Sequence, residues 1–274
     1  MRAVGSHSVF SDVVRSRELL LSLAWRDVRV RYKQSVLGVG WAVLLPVSMM
    51  VVFTFVFTRA IDARSVLNLD IPYALYAYVG LVPWTFFSGS LAACVGSLVS
   101  NRNLVTKVYF PREVFPLSCV ASALVDFCIA SIVLVALMFY FGWQGPWRFV
   151  AHPALALLPA ILLIQIALTV GIGMALAMAN LFYRDVRQIF GAGIQLLMFV
   201  SCVVVPVPRD GSVLAIVLSL NPMVWIIQSY RDCVLEGRWP HAGGLAYAAT
   251  IAGIALVVGW TVFRRAAHRF AECI

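Results

Sequence analysis

The chain has 274 residues, 62% of them hydrophobic and 12% charged, with a net charge of +9 and a mean hydropathy of +0.92. Soluble domains carry roughly 25% charged residues, and a soluble core of this size cannot hide so much apolar surface. An ordinary soluble fold is therefore excluded and the bilayer becomes the solvent. The basic excess is scattered among apolar segments, which points to orientation and anionic lipid rather than nucleic acid.

Met1 to Gln34 is basic and mixed, without the apolar core of a cleavable signal. Within it, Ser16 to Gln34 reads as a helix. Leu21, Trp25, Val28 and Tyr32 recur on one face, while Arg26, Arg29 and Lys33 line another. That pattern suits a helix lying in the headgroup layer, and an ordinary cytosolic helix would share it.

Membrane spans then appear as runs with little or no charge: Gln34 to Thr58, Ile71 to Asn101, Val114 to Trp147, Phe149 to Tyr183, Gln188 to Pro208 and Ala242 to Phe263. Each supplies the ~20 residues that cross a ~30 Å hydrocarbon layer, where only helices satisfy their own backbone. A further uncharged run, Gly211 to Tyr230, is divided by Asn221-Pro222 into pieces too short to cross, which predicts a re-entrant pair.

The expected fold is an all-α integral membrane protein. It has a cytoplasmic segment (1–34) with an amphipathic interface helix, a six-span domain (35–264) and a cytoplasmic tail (265–274). The loop 100–113 and an external re-entrant segment 209–238 belong to the six-span domain. With six spans, fifteen Lys and Arg residues fall on the side of the two termini and six on the other, which places both termini in the cytoplasm. A seventh span would move Arg264, Arg265 and Arg269 outside.

The chain carries no phosphate-cradling GxxxxGK[ST] loop, no paired carboxylates and no Cys or His cluster with ligand spacing. Its six cysteines include no CxxC pair, and Cys94, Cys119, Cys128 and Cys202 lie in apolar runs as small hydrophobes. No catalytic, cofactor or metal site is expected, and an energy source is expected in a partner. Asp126 is the one acid deep in a span. Its insertion costs about 2.5–3.5 kcal/mol, against roughly −5 kcal/mol from twelve large apolar residues between Leu117 and Phe139. It either lines a conduit or is a protonated or paired carboxyl that locks helix packing.

Three stretches carry a family resemblance. The first is Arg26-Asp27 through Arg31-Tyr32-Lys33-Gln34-Ser35-Val36-Leu37-Gly38, with Trp41 and Pro46 following. The second is Gly80-Leu81-Val82-Pro83-Trp84-Thr85-Phe86-Phe87, then Asn101, Leu104-Val105 and Lys107-Val108-Tyr109-Phe110-Pro111-Arg112-Glu113. The third is Tyr183-Arg184-Asp185-Val186-Arg187, with Asn221-Pro222-Met223 later. In this order they resemble the permeases of type-2 ABC exporters for O-antigen, capsular polysaccharide or teichoic acid, over residues 16 to 235.

The resemblance implies a homodimeric inner-membrane permease and a separate ATPase, in two copies, that binds ATP and Mg. It also implies a coupling helix in the loop 100–113. Leu104, Val105, Val108 and Tyr109 would be its apolar anchors, with Lys107, Arg112 and Glu113 as polar contacts. A basic cytoplasmic loop obeying the positive-inside rule would look similar. Aromatic residues for a glycan conduit would be Trp41, Phe53, Tyr73, Tyr76, Trp84 and Phe87, although such rings also serve as interface anchors and packing. Arg29, Arg31 and Lys33 would meet a polyprenyl pyrophosphate, or equally anionic lipid. The chain departs from the family pattern at Val205 to Leu220, which lacks the longer stretch with tyrosine and proline and leaves the first gate helix open. An exporter of drugs or lipids, or an ATP-independent channel or carrier, are the rival expectations.

Overall fold

A computed structural model describes residues 17–33, 38, 40–60, 71–101, 111–144, 147–183, 185–207 and 212–267, and the regular structure among them is helical. Helix α1 (Arg17–Lys33) precedes the spans. α2 (Gly40–Phe55) runs on into a π turn, Val56–Ala60. α3 (Tyr73–Ser100) and α4 (Val114–Gln144) follow. α5 (Leu158–Phe182) is preceded by a 3-10 turn, Pro153–Leu157. Three shorter helices, α6 (Val186–Val200), α7 (Val213–Ser219) and α8 (Pro222–Val234), lead to α9 (Ala242–Ala267).

Five of these, α2 to α5 and α9 with their attached turns, are long and apolar enough to cross a membrane. The expected fifth crossing, Gln188 to Pro208, is helical only as far as Val200. Its 15 residues reach about 22 Å, and Ser201 to Val207 continue as irregular backbone. α7 and α8 meet at 89°, the bent pair expected from Asn221-Pro222. Pro222 has no N–H to continue a helix, and the Asn221 side chain accepts from the Met223 N–H at 3.0 Å, so α8 starts afresh. The carbonyls ending α7 are met by Trp225 Nε1, which donates to Ser219 at 2.8 Å, and by the Tyr247 hydroxyl, which donates to Leu220 at 2.8 Å. The first helix of the pair, left open by the sequence, is thus present as the seven-residue α7.

α3 is the axis of the molecule, packed by α2, α4, α5, α6 and α8. It is apolar on all sides, as a helix with neighbours all round must be. Its first half joins a core with Tyr78, Leu81, Ile161 and Ile226, and its second half one with Leu98, Phe115, Met174 and Phe263. α5 ties to it through two amides that donate to its carbonyls: Gln165 to Pro83 at 2.7 Å and Asn180 to Val95 at 2.8 Å. α5 and α9 touch backbone to backbone. A Cβ on Gly171 would lie 2.3 Å from the Ala255 carbonyl carbon, and one on Gly259 2.1 Å from the Gly171 oxygen. Small residues permit this approach, the usual solution where lipid supplies no hydrophobic drive.

α1 carries two apolar strips, and the chain covers one of them. Leu23, Ala24 and Val28 pack inward while Leu21 and Trp25 stay exposed. The helix is gripped by α4 on one side, so its second apolar strip is left for the surroundings. The Arg29 guanidinium lies 6.0 Å from the Trp25 ring on that outer face.

Candidate functional site

Helix directions bring α1, the end of α3, the start of α4 and the end of α9 to one end of the molecule. The loop 100–113 leaves and rejoins the bundle there. Of its expected contacts, Leu104, Val105, Lys107, Val108 and Tyr109 lie outside the described residues. The edges of the loop are fixed by polar contacts within the chain. Arg26 Nη2 donates to the Asn101 side chain at 3.0 Å at the loop's start. At its end, Arg264 Nε of α9 donates to Glu113 at 3.2 Å. Glu113 is 7% exposed and ties the start of α4 to α9 within the chain. Arg112 is half-buried beside it.

Asp126 lies twelve residues into α4, about 18 Å along its axis, and it is a paired carboxyl. Arg31 Nη1 donates to Oδ2 and the Tyr32 hydroxyl to Oδ1. Burial first, then this bond, raises the Tyr32 phenol above its ordinary value, so Tyr32 keeps its proton and is the donor. The trio caps a cavity of about 190 Å³ between α1, α2, α3 and α4, walled by Trp41, Phe86 and Phe127. Arg31 is therefore committed to Asp126, while Arg29 and Lys33 remain exposed. Trp41 is 53% exposed and lines the mouth of the cavity.

The other aromatic residues expected along a conduit are placed differently. Tyr73, Tyr76, Trp84 and Phe87 are each below 5% exposed. They fill the space around the central helix and offer no surface to a polymer in this conformation. Trp84 and Phe87 share a face, with ring centroids 5.8 Å apart. Half-buried Phe53 continues through Phe57 and Tyr73 to Tyr76, with successive centroids 6.4, 5.3 and 6.3 Å apart. The row ends on Arg231, whose guanidinium carbon is 3.8 Å from the Tyr76 centroid. The sequence counted Arg231 among loop charges; it is instead 1% exposed within α8. The signal available was its position one residue past an uncharged run.

Among the described residues no group of His, Cys, Asp or Glu has the arrangement of a metal site. The geometry is that of a packed helical bundle with a loop framed at one end and a bent helix pair set into the other. The chain belongs to the ABC-2 type transporter family, whose pattern matches residues 18–235. It is 32% identical over 96% of its length to the O-antigen export system permease protein RfbA of Myxococcus xanthus, covering 98% of that protein. It is 28% identical to a permease of the same name from Klebsiella pneumoniae, over 94% of this chain and 95% of that protein. The polysialic acid transport protein KpsM of Escherichia coli is 24% identical over 89% of this chain and 91% of its own.

Proposed function

We propose that this chain is the permease subunit of an ABC-2 exporter that passes an O-antigen-type polysaccharide, linked to a polyprenyl pyrophosphate, across the cytoplasmic membrane. The observation that carries this reading is the similarity to an O-antigen export permease over 96% of the chain. The charge asymmetry of the loops supports termini in the cytoplasm, which makes the α1 end the inner face and the α7–α8 pair the outer gate.

Two copies of the chain form the pore, and α6, with no residue buried in the single chain, is the element suited to the contact between them. ATP and Mg belong to a separate ATPase in two copies. Its closure is received at the loop 100–113 through Leu104, Val105, Lys107, Val108, Tyr109 and Arg112. Arg29 and Lys33, exposed on α1, are the cations suited to a pyrophosphate. Trp41 and Phe53 on α2 are the rings suited to a sugar path. Arg31 serves indirectly, holding α1 to α4 through Asp126.

The reading is tested by tagging the chain, extracting it in mild detergent and identifying what copurifies. A stoichiometric subunit with a phosphate-binding loop and ATPase activity is the expected result. A chain that repeatedly emerges alone overturns it in favour of an ATP-independent channel or carrier. Val108→Asp is expected to abolish export, measured as surface polysaccharide, with normal amounts of permease in the membrane; unchanged export would remove the coupling role of the loop.

A further inference from the structure

Beyond Val200 the chain leaves the helix inside the protein. Ser201, Cys202, Val203 and Val204 are all buried, and Cys202 adopts φ 52°, in the left-handed region that side chains other than glycine seldom occupy. Irregular backbone at membrane depth persists only where protein satisfies its polar groups. Here the partners come from two other helices and a cap. Arg231 of α8 donates Nη1 to the Cys202 carbonyl at 3.0 Å and Nη2 to the Val203 carbonyl. The Tyr73 hydroxyl of α3 donates to the Val204 carbonyl at 2.8 Å. Asn221, the cap of α8, donates to the Ser201 hydroxyl at 2.9 Å.

The guanidinium has room because position 80 is glycine. A Cβ there would sit 2.4 Å from the Val203 oxygen and 2.6 Å from Arg231 Nη2. The neighbouring acid, Asp232, accepts from Gln228 at 3.0 Å and from Arg238 at 2.7 Å, so it answers a different cation. Arg231 is thus held by carbonyl dipoles and the Tyr76 face, with its Nε–H lacking a hydrogen-bond partner among the described residues. As mere filling, an apolar side chain would serve with less desolvation. What arginine adds is a two-pronged fork that joins three elements at one point.

We propose that Arg231 is a positioning residue of the outer gate: its fork holds the unwound end of α6 against α3 and α8 when the gate is shut, and the gate opens as the fork leaves the two carbonyls. This rests on the reading of the α7–α8 pair as the outer gate given under Proposed function. It needs no assumption about the polymer carried.

Cys202 supplies the readout. In the complete exporter, with the other five cysteines replaced by serine, a membrane-impermeant maleimide is applied to either face without nucleotide. The parent should react slowly. Arg231→Met and Gly80→Ala should each react at least tenfold faster from outside, and Arg231→Lys, which lacks the second prong, should fall between. Folded Arg231→Met and Gly80→Ala proteins that both react at the parent's rate overturn the proposal. Should Arg231→Met fail to fold, Gly80→Ala, which keeps the guanidinium but crowds it, decides alone. Acceleration seen only from the inner face upholds the fork as a latch and overturns the outer placement of the gate.

Discussion

Asp126 and Arg231 are both ionisable groups set within the bundle, and they are accommodated by different means. Asp126 is met by a countercharge and a phenol from α1. Arg231 is met by carbonyls and an aromatic face. Removing the Asp126 carboxyl is the milder change, because the Arg31 side chain is 41% exposed and solvent screens the pair. Asp126→Ala is expected to cost about 1.5–2 kcal/mol, from roughly 0.5–1 for the ion pair and about 1 for the Tyr32 bond. Asp126→Asn, which still accepts one bond, should cost about half as much. Thermal unfolding in detergent measures both, and protease access to α1 should rise in step. Arg231→Met leaves two buried carbonyls bare at about 1–3 kcal/mol each, so its unfolding midpoint should fall well below that of Asp126→Ala. Sequence reasoning left the acid in α4 as either a conduit group or a paired or neutral packing group. It could not name the partner, because Arg31 stands 95 residues away.

At the level of helices, the α5–α9 seam makes the sharpest demand on side-chain size. Gly171→Leu forces a side chain into the Ala255 carbonyl and should cost about 1–3 kcal/mol or more by overpacking. Gly253→Leu on α9, where a Cβ meets nothing within 4 Å, should be tolerated. The yield of folded protein on size-exclusion chromatography separates the two. Charge-free runs revealed the five long helices because hydrocarbon imposes length and apolarity together. They failed at the end of α6, since Cys202-Val203-Val204-Val205 is as apolar as any helix. Pro206 and Pro208 are the sequence's one sign against continuing the helix there; the fork from another element that holds the unwound end left no trace in composition. Nor could the sequence choose between the two apolar strips of α1, because only the packing of α4 decides which is buried in the chain.

Across the whole molecule, the loop 100–113 is framed at both edges, by α1 through Arg26 and by α9 through Arg264. A push received there reaches α4 and α9 together, and α9 lies backbone to backbone on α5. Glu113→Arg should therefore lower export and ATPase stimulation by substrate. Adding Arg264→Glu should restore much of both, because the swapped charges can pair again. If the double variant is no better than the single one, the pair has no part in transmission. The sequence located this loop between two long helices, but it could not show the bond from Glu113 to Arg264, since a carboxylate in a loop looks the same whichever way it turns.

The crowding at Gly80 has an evolutionary corollary. Position 80 can gain a side chain only if position 231 gives up its long one and the Val203 carbonyl, the nearer obstacle at 2.4 Å, also moves aside; a shortened residue at 231 leaves a void that a larger residue at 80 would fill. Among relatives, the two sites should exchange in concert, glycine travelling with arginine and a bulkier residue with a smaller partner. Each site changing alone would open a hole or a clash that drift could seldom cross in a single step.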